Sequence, residues 1–136
     1  MNKDYQELIN ITKDAREDAY APYSNFKVGA CILTKDNKYF KGFNIENASY
    51  SLCMCAERNA IYNAYINGYK KEDIKALCVC ADTSDFVSPC GACRQVMAEL
   101  LDENCDILLI NLKGSVKMCK VLDLLPYYFK GSDLNV

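Results

Sequence analysis

Helical and strand-like segments interleave along this chain in the order α-β-β-α-β-α-β-β-α, which predicts an α/β fold: a three-layer α/β/α sandwich around a mixed five-stranded sheet. Two further observations support that prediction. No linker, low-complexity tract or internal repeat interrupts the sequence, so residues 1–136 read as one domain. At 136 residues, with 51% hydrophobic and 25% charged residues, the chain has the size and composition of one globular domain with a real core.

The elements follow from local pattern. Over residues 4–20, Tyr5, Leu8, Ile9, Thr12, Ala15 and Ala19 recur at helical steps, and Pro22 stops the helix. From Phe26 to Leu33 the apolar content is nearly continuous, as in a strand buried on both faces. A polar turn at 35–38 leads into a second strand from Tyr39 to Ile45, forming a hairpin. Residues 56–67 carry Ala56, Ala60, Ile61 and Ala64 on one helical stripe, with Gly68 as the stop. Ile74 to Ala81 reads as a central strand, and Cys93 to Leu101 as a helix through Val96, Met97, Leu100 and Leu101. Strands at Ile107–Leu112 and Val116–Val121 flank a turn at 113–115, and a short helix or turn at 122–125 precedes Pro126.

Several function classes drop out on composition. Sixteen basic against 18 acidic residues give a net charge of −2, without the basic stripe of a nucleic-acid binder. No apolar run is long enough to span a membrane. The opening Met-Asn-Lys-Asp-Tyr-Gln-Glu has early acids and no apolar stretch, unlike a secretory leader, so the expectation is a cytoplasmic chain with reduced thiols.

The chain has nine cysteines and no histidine. A transition-metal site here must therefore rest on thiolate and carboxylate, and a general base must be something other than imidazole. Cys31, Cys78, Cys80 and Cys119 fall inside expected strands, where cysteine packs as a small hydrophobe. Cys105 precedes a strand and carries no functional signal.

The remaining four have a different context. Ser88-Pro89-Cys90-Gly91-Ala92-Cys93 places Cys-x-x-Cys at a helix start, where free amide groups favour thiolate. Such a pair is either a redox dithiol or half a zinc site. Cys53-Met54-Cys55-Ala56-Glu57-Arg58 offers a third thiolate, with Cys55 also at a helix start. Three protein ligands with one open position describe a catalytic zinc site. Glu57, two residues beyond Cys55, suits a proton shuttle beside that open position. A helix-start acid favoured by the dipole is the ordinary alternative. Cys53 is a competing ligand, and binding by both cysteines would close the site; its position just outside the helix aims it less well, so the metal is assigned to Cys55.

Cys55-Ala56-Glu57 with Pro89-Cys90-Gly91-Ala92-Cys93 resembles the signature of zinc nucleobase deaminases in its three-cysteine form. Ala21–Ala30, Asn44–Ser51, and Leu124-Leu125-Pro126 with Phe129 extend the resemblance to homotetrameric cytidine deaminases, in order and over essentially the whole chain. The resemblance implies the cytidine deaminase-like version of the α/β/α fold. It also implies hydrolytic deamination of cytidine and deoxycytidine in pyrimidine salvage, with one zinc per chain held by Cys55, Cys90 and Cys93. Glu57 would carry the protons, and Arg58 would hydrogen-bond to the thiolates and withdraw charge from them. The ordinary alternative for Arg58 is a solvated helix arginine.

The resemblance further implies that Asn44 and Glu46, two apart and therefore on one strand face, clamp the ribose. Without it they would read as a polar strand end. Phe26 would wall the pyrimidine, and Ala56 would line the substrate pocket. Ala48, Tyr50 and Phe129 would arrive from neighbouring chains of a homotetramer. The partners expected are thus a small nucleoside and further copies of the chain, with no nucleic acid and no membrane. Competing readings are a deaminase of another aminopyrimidine nucleoside or nucleotide, a non-enzymatic zinc module, and a redox dithiol protein. The negative charge of Glu46 beside the sugar favours an uncharged nucleoside over a nucleotide. The zinc module leaves Glu57 and the Asn44/Glu46 pair without a role, and the redox reading explains Cys90 and Cys93 alone.

Overall fold

The computed structural model describes residues 3–135; the outermost ends of the expected 1–136 domain lie outside them. Five strands form one sheet in the order β2-β1-β3-β4-β5, with β1 at Val28–Thr34, β2 at Tyr39–Phe43, β3 at Ile74–Ala81, β4 at Asp106–Asn111 and β5 at Val116–Lys120. Only β3 and β4 pair in parallel; β1 runs antiparallel to both β2 and β3, and β5 antiparallel to β4. The sheet is therefore mixed and five-stranded, as expected.

Alternation along the strands makes two cores. Ala30, Ile32, Leu77, Val79, Ile107 and Leu109 face α2 (Ala56–Ile66) and α3 (Gly91–Leu100). Cys31, Leu33, Ala76, Cys78, Cys80, Leu108 and Ile110 face α1 (Lys3–Glu17), which adds Tyr5, Leu8 and Ile9. Helices on both faces of one sheet give the three layers. A four-residue α4 (Val121–Leu124) packs on α3 and β5. Cys105, which carried no signal, is buried in the α2/α3 core, while Cys119 is half-buried against it.

Two glycines set the spacing of the layers. A Cβ at Gly29 would stand 2.4 Å from the Thr12 carbonyl oxygen, so α1 lies directly on β1. A Cβ at Gly42 would stand 2.3 Å from the Ala60 nitrogen and 2.5 Å from the Ala56 oxygen, so α2 lies as closely on β2. Gly68, with φ of 94°, ends α2: its N–H donates to the Tyr65 carbonyl at 3.0 Å and the Tyr69 N–H to Ala64 at 3.1 Å.

The structure corrects several boundaries. The first helix ends at Glu17, not residue 20, because Tyr20 leaves it to pair with Ile45. Its N–H donates to the Asn44 carbonyl at 3.0 Å, and its carbonyl accepts from the Glu46 N–H at 2.9 Å. Strand β1 starts at Val28, not Phe26, because Asn25 sits at φ of 57° and the Asn44 side chain bonds the Phe26 and Val28 backbone. Strand β2 stops at Phe43, not Ile45. Strand β4 runs from Asp106 to Asn111 rather than 107–112, since Asn111 Oδ1 accepts from the N–H groups of Lys113 and Ser115 and turns the chain. Helix α3 begins at Gly91, with Cys90 as its N-cap, rather than at Cys93. Short 3-10 turns at Tyr50–Leu52, Lys71–Asp73 and Gly131–Leu134 have no counterpart in the sequence reading.

Candidate zinc centre

Topology brings the metal-spaced cysteines together. β2 and β3 both run antiparallel to β1 and so point the same way. The chain leaving each passes into a helix on the same face, so the N-termini of α2 and α3 meet at one edge of the sheet, beyond the C-terminal ends of parallel strands. Cys55 is the N-cap of α2 and Cys90 the N-cap of α3, with Cys93 one turn further on. Their Sγ atoms lie within 4.8 Å of one another. A zinc ion about 2.3 Å from each sulfur needs tetrahedral sulfur spacings of roughly 3.8 Å, so this cluster fits the metal with slight closure. The donor set fits too: three soft thiolates suit zinc, and three protein ligands leave one position for chemistry.

Cys53 stands apart from this cluster. Its Sγ accepts from the Asn47 N–H at 3.3 Å and lines a different cavity, so the site stays three-coordinate in protein ligands.

The electrostatics favour thiolate at Cys55. A hydrogen bond from Cys93 holds Cys55 down at about 5, with the hydrogen bond and charge of Arg58 adding to it against the cost of burial. The same hydrogen bond, with burial, pushes Cys93 well up, because the two thiols share one proton. An Arg58 terminal nitrogen donates to Cys55 Sγ at 3.2 Å, which holds the guanidinium firmly in its charged form. Its Nε is buried without a hydrogen-bond partner among the described residues. A guanidinium in contact with a ligand sulfur is stabilised by negative charge, which a three-thiolate zinc site supplies.

Glu57, on the first turn of α2, is only 5% exposed. Burial raises its carboxyl above the usual range, the Cys55 charge adds to the shift, and its own backbone N–H opposes it. Glu57 shares a cavity of about 220 Å³ with Phe26, Val28, Asn44, Cys55, Ala56, Val87, Ser88 and Cys90. A metal site, a buried carboxylate and an aromatic wall therefore open on one space.

The other expected site residues are dispersed. Asn44 lines this cavity, but Glu46 lines a neighbouring one of about 260 Å³ with Tyr23, Ser24, Tyr50 and Cys53. Both side chains also hold backbone: Asn44 Nδ2 donates to Phe26 at 2.8 Å, and Glu46 Oε1 accepts from the N–H groups of Tyr23 and Ser24 at 3.0 and 3.1 Å. Ser24 Oγ donates to Glu46 Oε2 as well, and these bonds hold the carboxyl below its usual range. Ala48 and Tyr50 are exposed, as is Phe129, and none of the three lines the cavity of Glu57. Gln95 Nε2 donates to the Phe129 carbonyl at 2.9 Å and ties that segment to α3. Val28, Val87 and Ser88 line the cavity without having been singled out. Ser88 could have been found from its place two residues before Cys90, whereas Val87 carries no local signal.

Known proteins agree with this geometry. The family model described as the cytidine and deoxycytidylate deaminase zinc-binding region matches residues 2–108. A cytidine deaminase of Halalkalibacterium halodurans is 50% identical over 97% of this chain and 98% of its own length. One from Sporosarcina psychrophila is 48% identical over 97% and 96%. Among solved structures, cytidine deaminase from Burkholderia pseudomallei superposes with a TM-score of 0.90 at 49% identity, covering 95% of this chain and 100% of that one. Together with the cysteine cluster, these likenesses show that the chain belongs to the zinc-dependent cytidine deaminase family.

Proposed function

We propose that the chain hydrolyses cytidine and deoxycytidine to uridine and deoxyuridine with release of ammonia; the relatives named cytidine deaminase support the cytidine reaction. The observation that carries this reading is the buried Glu57 carboxyl in one cavity with Cys55 and Cys90. Bound zinc supplies Lewis acidity that lowers the pKa of a water towards about 7. Cys55, Cys90 and Cys93 would hold the metal. Glu57 takes one proton from the attacking water and delivers it to ring nitrogen N3. As the C4–N bond breaks, the same carboxyl passes the water's second proton to the departing amino group. Burial raises the Glu57 carboxyl above its ordinary value, the direction that suits one group serving as both base and acid.

Phe26 offers a face for the pyrimidine, and Ala56 packs at the helix start beneath it. Asn44, in the same cavity, and Glu46, in the adjoining one, serve the ribose hydroxyls in this reading. Among the described residues, no lysine or arginine lines the cavity, which favours a nucleoside over a charged nucleotide. Ala48, Tyr50 and Phe129 serve a neighbouring copy's site in a homotetramer. The exposure of Tyr23, Ile45, Tyr50, Leu52, Tyr127 and Phe129 leaves side chains of the kind an interface between copies would cover. Sedimentation showing a monomer at working concentration would remove that element. Residues 1–136 act as one domain in this reading, in the cytoplasm and in pyrimidine salvage. Among the described residues no helix is long and apolar enough to cross a membrane.

The test follows the ultraviolet change as cytidine becomes uridine, with wild type beside Glu57→Gln. The variant keeps one zinc per chain and loses about 10²–10⁴-fold in kcat. Undiminished turnover in the variant would end the proton-transfer role.

A further inference from the structure

We propose that Arg94 is a positioning residue for the zinc centre: its guanidinium locks the loop that carries Ser88 and Cys90 into place. Residues 82–90 connect β3 to α3 without regular structure, longer than the two to six or so residues usual for such connections. This loop supplies Val87 and Ser88 to the cavity wall and Cys90 to the metal cluster, so its exact path decides the site geometry. Pro89 has no N–H with which to tie itself to the fold.

Arg94 supplies the tie from outside. It follows Cys93 on the first turn of α3, and side chains there lean back toward the helix start. Arg94 Nε donates to the Pro89 carbonyl at 2.9 Å. One terminal nitrogen donates to Ser88 Oγ at 2.5 Å, and the other donates to the Leu124 carbonyl at 2.9 Å. Leu124 closes α4, so that carbonyl is one of the helix-end acceptors lacking a partner within the helix. One planar fork thus joins the helix bearing Cys93, the loop bearing Cys90 and the short helix that leads to the C-terminal segment. Among the described residues, the side-chain hydrogen bonds that reach Ser88 and Pro89 all come from this group. A lysine has a single donor head and cannot span three acceptors in different directions.

This inference rests on the three-thiolate reading of the zinc site. The experiment loads wild type, Arg94→Ala, Arg94→Lys and Leu108→Ala with zinc and times its release to a chromogenic chelator, with kcat, KM and Tm measured alongside. Leu108 lies fully buried in the core on the α1 face, so its truncation costs stability without touching the loop. Release from Arg94→Ala is expected to be about 10–100-fold faster than from wild type, with kcat falling by a similar factor. Arg94→Lys is expected to match the alanine variant, while Leu108→Ala releases zinc at the wild-type rate despite its lower Tm. Release from Arg94→Ala no faster than from Leu108→Ala overturns the proposal, as does full rescue by lysine. If Arg94→Ala does not fold, Ser88→Ala removes one acceptor at an exposed position. Faster release from Ser88→Ala supports the lock, and an unchanged rate overturns it. A wild type that holds no zinc would instead sink the metal reading itself.

Discussion

Cys31, Cys78 and Cys80 lie between α1 and the sheet, whereas Cys55, Cys90 and Cys93 gather at the N-termini of α2 and α3. Both trios come from the same residue type within one small fold, yet one packs between helix and sheet while the other gathers its sulfurs where a metal could be held. On the α1 face each thiol is fully buried. Burial outweighs the weak pull of a neighbouring hydrogen bond or lysine and pushes Cys31 and Cys78 up to about 12. At the helix starts, the hydrogen bond from Cys93 and the Arg58 guanidinium bring Cys55 down to about 5, while Cys93, the donor in that bond, is pushed up. What separates a packing cysteine from a ligand is therefore the company it keeps: cross-strand neighbours on one side, helix N-termini and a cation on the other.

The largest contrast comes from removing one thiol of each trio. Cys93→Ala should lose zinc and reduce deamination to background. Cys78→Ala should keep one zinc per chain, since its sulfur only fills the α1-side core. Metal content by atomic absorption, read beside turnover, checks both. Zinc loss from Cys78→Ala would erase the division between the two faces.

Alkaline titration sharpens the same contrast. The folded chain keeps the Cys31 and Cys78 protons up to about pH 12, while an unfolded chain releases them near the ordinary 9.0. Between those values the folded state binds more protons, so stability present below pH 9 drains away as pH rises. The slope is about 1.4 kcal/mol per pH unit for each such thiol. Urea unfolding from pH 8 to 10.5 should show that loss, and Cys31→Val should remove that thiol's share of the slope while Cys78 keeps its own. A variant with the wild-type slope would mean that the thiol is not shielded as its burial implies.

The two close-packed glycines test whether the faces also differ in what they support. Gly29→Ala and Gly42→Ala each force a methyl group against helix backbone, and each should cost about 1–3 kcal/mol. Only Gly42→Ala displaces α2, which carries Cys55 and Glu57. It should therefore lower kcat at temperatures where both variants remain folded, while Gly29→Ala loses stability and keeps near-normal kcat. Equal losses of kcat would show that the α1 layer positions the site as tightly as α2 does.

Legibility in the sequence divides along similar lines. Features set by neighbours in the chain were readable: the strand cysteines, Gly68 ending α2, and Cys55, Glu57, Cys90 and Cys93 at helix starts. Features set by distant partners were not. Nothing local says that Tyr20 leaves α1 to pair with Ile45, or that Arg94 reaches the Leu124 carbonyl. Asn44 and Glu46 show both sides of this. Their alternation was visible, but their bonds to the backbone of residues 23–28 depend on how β2 closes over that loop. Val87 reaches the cavity only because residues 82–90 fold back across it.

Cys53 is the smallest and most discriminating case, because it sits two residues from a ligand and yet belongs to neither trio. Spacing alone could not separate it from Cys55; orientation does. Cys55 caps α2 and faces Cys90 and Cys93, whereas Cys53 follows a 3-10 turn and points back to Asn47. Cys53→Ala removes only weak sulfur contacts with Asn47 at a partly exposed position, so the zinc content should stay at one per chain and stability should move by no more than about 0.5 kcal/mol. If Cys53→Ala lost zinc, or if Cys55→Ala retained it through Cys53, the helix start would not be what selects the ligand. The contrast between the two faces would then lose its physical cause.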